Sequence, residues 1–96
     1  MIRSFANTST QTEHIWNGER SKHIPANLGS RALAKLRMLN RPRNLEDLRN
    51  PPGNRLHALK DDRAGQHSIS INDQWRVCFR FEDGNAYDVE IVDYHT

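Results

Sequence analysis

Apolar positions change period near the middle of the chain. In IPANLGSRALAKLRMLN (residues 24–40), Leu28, Ala32, Leu36 and Leu39 recur at intervals of four, four and three, the spacing of one helical stripe. Pro25 suits the first turn of that helix, and Arg41-Pro42 ends it. Upstream, Thr10 to Glu13 has the form of a capping box, so a short helix carrying Ile15 and Trp16 is predicted, stopping at Asn17-Gly18. NLEDLRN allows one or two helical turns from an Asn44 cap, and PPGNR breaks the run. The opening MIRSF reads as a short strand.

Beyond residue 55 the period is two. RLHAL is a candidate strand, and HSISI, WRVCFRF and AYDVEIVDY alternate well. Three-residue loops at Asn72–Gln74 and Asp83–Asn85 set Ile71 against Trp75, Ile69 against Val77, Val77 against Ile91, Phe79 against Val89 and Phe81 against Tyr87. A slip of one residue turns core side chains toward charges, so this register is preferred. The expected fold class is α+β: one domain over residues 1–96, with strand and helix order β-α-α-β-β-β and two helices packed on one face of a small antiparallel sheet. The other face is expected to be an uncovered polar platform of Ser68, Ser70, Arg76, Cys78, Arg80, Asp88, Glu90 and Tyr94. Arg80 should oppose Asp88, and Arg76 should oppose Val92, with Glu90 and Tyr94 diagonal to it. Trp75 belongs to the core by parity, and His67 to a half-covered strand end.

Charge changes the picture because it is uneven. Residues 1–60 hold eleven Lys/Arg and four Asp/Glu, a balance of +7, while residues 61–96 hold three and eight, a balance of −5. The basic excess lies largely in ERSKH and RALAKLRMLNRPR. It is either a solvated helix face or a surface that meets phosphates. No stretch has the length of a membrane span, and the start lacks the apolar centre of a secretory signal. Cys78 is alone, so a disulfide framework is excluded and a reducing cytoplasm is expected. No HxH, HExxH or CxxC spacing marks a metal site, and no glycine loop cradles a phosphate, so no cofactor is expected.

The candidate chemistry gathers on the polar platform and the strand ends beside it. Arg76 stands at the centre with Tyr94 beside it, the ending VDYHT brings Asp93 and His95, and HALKDDR offers His57 and Lys60. Two imidazoles can serve as general base and general acid. Lys60 and Arg76 can stabilise charge on a pentavalent phosphate, and Tyr94 can stack on a base or bond the phosphate. Asp93 can orient an imidazole. The set suits metal-independent RNA cleavage, in which a 2′-hydroxyl attacks the adjacent phosphorus. Each member also has an ordinary reading: solvated side chains for the histidines and Lys60, an ion pair with Glu90 for Arg76, a half-buried sheet residue for Tyr94.

PPGNRLHALKDDRAGQHSI, DQWRVCF and the closing VDYH, in this order and spacing, resemble the HigB-like toxins, the plasmid-maintenance killer group of the RelE superfamily. The resemblance runs over essentially the whole chain. It implies a toxin of a type II toxin–antitoxin system that enters the ribosomal 30S A site, cuts mRNA there and stops translation. It implies a helix-turn-helix antitoxin of the HigA kind as partner, and operator DNA bound through the complex. Residue by residue it places His57, Lys60, Arg76, Asp93, Tyr94 and His95 in the active site. Arg31, Lys35, Arg37, Arg41 and Arg63 match no motif and are expected to touch RNA. Two other readings use the same residues. A non-catalytic ribosome or RNA binder rests on the basic half, and a weakly toxic regulatory subunit rests on an acidic C-terminal half that docks a basic partner.

Overall fold

The apolar stripe of the longer helix, Leu28, Ala32, Leu36 and Leu39, is buried, as its period requires. The computed structural model describes residues 1–6, 10–22, 24–41 and 44–93. Helices α1 (Thr10–Trp16) and α2 (Ala26–Asn40) lie on one face of a four-stranded antiparallel sheet ordered β1 (His57–Ala58), β2 (His67–Ser70), β3 (Trp75–Glu82) and β4 (Asn85–Asp93). Their stripes meet Ile69, Val77, Phe79, Ala86, Val89 and Ile91 in one core. The fold class is α+β, as expected.

Local signals explain most boundaries. Thr10 lies inside α1, so the helix begins slightly earlier than a Thr10 cap implies. The chain leaves α1 through Gly18 at φ 80°, a left-handed conformation that glycine adopts without a steric cost. The side chain of Thr12 is fully buried, and its hydroxyl accepts from the Ile91 N–H at 2.9 Å, tying α1 to β4. Pro25 flanks the start of α2, and α2 stops at Asn40 with Arg41 as its cap. The expected stop at Pro42 lies outside the described residues, as do the site candidates Tyr94 and His95. Asn44 caps a short 3-10 helix (Leu45–Arg49) in a reciprocal capping box with Asp47.

The opening segment is not a regular strand. It makes two parallel bridges to β4, Ile2 with Ala86 and Phe5 with Val89, and between them the Ser4 hydroxyl accepts from the Asp88 N–H at 2.9 Å.

The β2–β3 register is the expected one: Ile69 opposes Val77, and the Ile71 N–H donates to Trp75 across the Asn72–Gln74 loop. The β3–β4 register is the expected one only from Trp75 to Cys78. Beyond a bulge, Arg80 opposes Tyr87, Phe81 opposes Ala86 and Glu82 opposes Asn85. The reason is the turn. Asp83 and Gly84 sit at φ 50° and 79°, the two-residue Asp-Gly loop whose twist matches the strands, where a three-residue loop was expected. Asp88, at φ 52°, is the extra residue that restores the register. Tyr87 therefore turns to the polar face, where the Arg80 guanidinium lies 5.9 Å from its ring centre. The Arg80–Asp88 ion pair still forms at 2.8 Å, from the bulge.

Asn54 joins the two halves of the molecule. It is fully buried. Its Oδ1 accepts from the Lys35 ammonium at 2.6 Å, and its Nδ2 donates to the Leu48 carbonyl at 3.1 Å and to the Asn50 carbonyl at 3.4 Å. Asn54→Ala leaves those groups without their partner and should cost about 1–3 kcal/mol. For a domain of this size each kcal/mol lowers Tm by about 4–8 °C. Urea unfolding of the variant measures the cost, and a loss under about 0.5 kcal/mol would show that the carboxamide is not a tie.

His67 is half-buried, with its ring 6.2 Å from that of Phe79. Burial lowers its pKa below the usual 6.5. The fold thus favours neutral His67: this contribution is complete above 6.5 and is lost as pH falls through the lowered folded value. His67→Phe should flatten the decline of Tm between pH 7 and pH 5, which a pH series of thermal melts on both proteins reads.

Candidate active site

The centre of the second face is not the open platform that alternation predicts. Ser68, Ser70 and Cys78 are buried there, and Leu59 is buried outside the helix-side core cluster. The cover comes from the connection between β1 and β2. Arg63, in the 3-10 turn Asp61–Arg63, reaches over β2 and β3 to Glu90 of β4 at 3.1 Å and also donates to Gln66 at 3.1 Å. His57, Ser68, Cys78 and Glu90 form one cross-strand row, so Arg63 bridges above Cys78. Burial, above all, pushes the Cys78 thiol up, with Arg63 opposing and Glu90 adding to the shift. A protonated, covered thiol is a packing residue and not a nucleophile.

Arg76 stands one row along, opposite Val92 as expected. It does not pair with Glu90, which Arg63 holds. Its Nε donates to the Ser68 hydroxyl at 2.8 Å, and its Nη2 donates to the Arg55 carbonyl at 2.8 Å. Two bonds from different elements fix a guanidinium that alone has many rotamers. His57 lies directly opposite Ser68, so the imidazole and the guanidinium flank the same serine. Arg55, Leu56, His57 and Arg76 line an open depression of about 450 Å³. Among the described residues the lining includes two arginines and a histidine and no acidic residue, which suits an anion.

The other expected residues are placed unevenly. Lys60 is exposed and flanks the 3-10 turn at the mouth of the β1–β2 connection, three residues after His57. Asp93 pairs with Trp75 and so has the parity of the helix-side face, unlike Arg76. Its carboxylate accepts from Gln74 Nε2, with both oxygens at 3.1 Å. Among the expected RNA contacts, Arg31, Arg37 and Arg41 are exposed on or beside α2, away from its buried stripe. Lys35 is half-buried, its ammonium on Asn54, and burial followed by Arg31 lowers its pKa. Arg63 is spent largely on Glu90 and Gln66. Sequence reading missed Arg55 and the part Ser68 plays. The available signal was that Arg55 and His57 alternate in RLHAL. Among the described residues no group of three His, Cys, Asp or Glu side chains is placed to hold a metal ion.

Comparison with known proteins meets this geometry. The chain is 46% identical over 41 residues to Endoribonuclease HigB of Proteus vulgaris, a stretch covering 43% of this chain and 45% of that protein, so the match spans less than half of it. It is 37% identical over 68 residues to Toxin HigB-1 of Vibrio cholerae serotype O1, covering 71% of this chain and 72% of that protein. The YoeB-YefM complex from Staphylococcus aureus contains a chain that superposes with a TM-score of 0.63 at 14% identity, over 100% of this chain and 97% of that one, a likeness of fold. The profile of the HigB-like toxins, the RelE-like toxins of the type II toxin–antitoxin system HigB, matches residues 4–95, and the chain belongs to that family.

Proposed function

We propose that this chain is an endoribonuclease toxin that cuts mRNA in the ribosomal A site and is neutralised by a helix-turn-helix antitoxin. The observation that carries the reading is the depression lined, among the described residues, by Arg55, Leu56, His57 and Arg76, where the pinned Arg76 guanidinium and His57 flank Ser68. The protein works in the cytoplasm, where ribosomes are, and its complex with the antitoxin binds operator DNA. Arg31, Arg37 and Arg41, exposed beside the buried stripe of α2, meet ribosomal RNA.

The chemistry is transesterification. The 2′-hydroxyl of one nucleotide attacks the adjacent phosphorus, and the bond to the 5′-oxygen of the next nucleotide breaks. His95 accepts the 2′ proton, and His57 returns a proton to the leaving 5′-oxygen. Arg76 and Lys60 stabilise the charge that builds on the non-bridging oxygens, and Tyr94 stacks on a base beside the cut. Asp93 is a positioning residue: its bonds to Gln74 hold the end of β4, from which Tyr94 and His95 follow in the chain. The products are a 2′,3′-cyclic phosphate and a 5′-hydroxyl. DNA has no such nucleophile and is not cut.

Arg76→Ala should lower the cleavage rate on programmed ribosomes by about 10²–10³-fold, the usual cost of a lost transition-state donor. Toe-printing on translating ribosomes reads it, and unchanged cuts remove Arg76 from the mechanism. Deleting Tyr94 to Thr96 should leave the circular dichroism spectrum and the cooperative unfolding of residues 1–93 in place and abolish cleavage. Wild-type cutting by the shortened chain would take the tail out of the site.

A further inference from the structure

We propose that the Arg55 side chain is a second phosphate-binding group of this site, gripping an RNA phosphate next to the one that Arg76 holds. The inference rests on the ribonuclease reading above and adds a residue to it.

Three observations carry it. First, Arg55 occupies a left-handed backbone position, φ 47°, where glycine or asparagine is the ordinary choice. The conformation is imposed by its neighbours: Pro52–Asn54 is a 3-10 turn, and Asn54 is buried and bonded on both ends of its carboxamide. A position that only had to turn the chain would be better served by a smaller residue. Second, the guanidinium is not used to hold the fold. Its ion contact among the described residues is Asp73 at 3.8 Å, beyond hydrogen-bond reach, with about two-thirds of the Arg55 side chain and nearly all of the Asp73 side chain exposed. Such a pair contributes little and yields readily to a better anion. Third, the residue is part of the depression itself: it lines it beside His57 and Arg76, and its carbonyl takes one of the bonds that fix Arg76.

The two roles of Arg55 separate by substitution, because the carbonyl survives any change of side chain. Arg55→Ala keeps the hold on Arg76 and removes the cation. Arg55→Lys keeps a cation and loses the bidentate fork that suits a phosphate. The probe is the full chain titrated onto ribosomes programmed with an mRNA carrying a 2′-deoxy nucleotide at the cut, so that binding is read without cleavage. Arg55→Ala should weaken apparent affinity about ten- to a hundredfold, with Arg55→Lys between it and wild type. The slope of log affinity against log salt should become shallower by about 0.7. Arg49→Ala, which removes an exposed charge at the end of the 3-10 helix Leu45–Arg49, should change neither quantity.

A second mRNA, bearing a neutral methylphosphonate at the linkage beside the cut, separates the two sources of phosphate. If the loss caused by Arg55→Ala disappears on this mRNA, the grip is on the message. If the loss persists, the phosphate is in ribosomal RNA and the binding role stands. Equal affinity and equal salt slope for Arg55→Ala and wild type overturn the proposal. Failure of the wild-type chain to cut the all-ribose mRNA overturns the ribonuclease reading instead, and the two failures are read in different tubes.

Discussion

The buried carboxamide of Asn54 is the constraint on which the site depends. A polar group with no exposure must find partners inside, and Asn54 finds them on α2, on Leu48 and on Asn50. Those bonds lock the PPGN turn against the helix layer. Locked there, the next residue has its carbonyl placed at the edge of the sheet, where Arg76 donates to it at 2.8 Å. Ser68 takes the other bond of Arg76, and His57 faces Ser68. Two short hydrogen bonds, joined through the Asn54–Arg55 peptide, therefore lead from the helix layer to a cation that a substrate phosphate can use without waiting for it to find its rotamer.

The second face of the sheet divides its charges between two tasks. Arg63 with Glu90, and Arg80 with Asp88 and Tyr87, are used within the protein. Arg55, His57, Lys60 and Arg76 lie toward the β1 end, where the Arg55 guanidinium meets Asp73 at 3.8 Å and Arg76 donates to Ser68 and to the Arg55 carbonyl. Positive charge is thus gathered at that end, although residues 61–96 as a whole are acidic. The net charge of +2 hides this separation.

Membership of the HigB-like toxin family agrees with the motifs that first suggested it, and the superposition on a YoeB-type chain at 14% identity agrees with the fold. The helical stripe, the β2–β3 turn, the half-covered His67 and the helix-side parity of Trp75, which packs half-buried against the core, were legible because each follows from local periodicity and from one buried face. The face assigned to Tyr87 was misread. A single residue more or less in a turn reverses parity, and an Asp-Gly turn followed by a bulge does so twice, leaving both ends of the strand in plausible register. Lys35 was expected to touch RNA because helical geometry puts it beside the stripe, and the buried Asn54 from a distant turn takes its ammonium.

By itself, the sequence determined the class of fold, the two faces of the sheet and the residue types available for phosphate chemistry, since these depend on period, parity and side-chain charge. Tertiary structure decided which of those residues meet. It laid the β1–β2 connection across the polar face, assigned Glu90 to Arg63, left Arg76 to Ser68 and the Arg55 carbonyl, and turned the Asp93 carboxylate to Gln74. The physical reason is that a backbone carbonyl and a cross-strand hydroxyl have no signature in an amino-acid string. Their power to hold a guanidinium exists only once segments 8 and 21 residues from it in the chain have packed together.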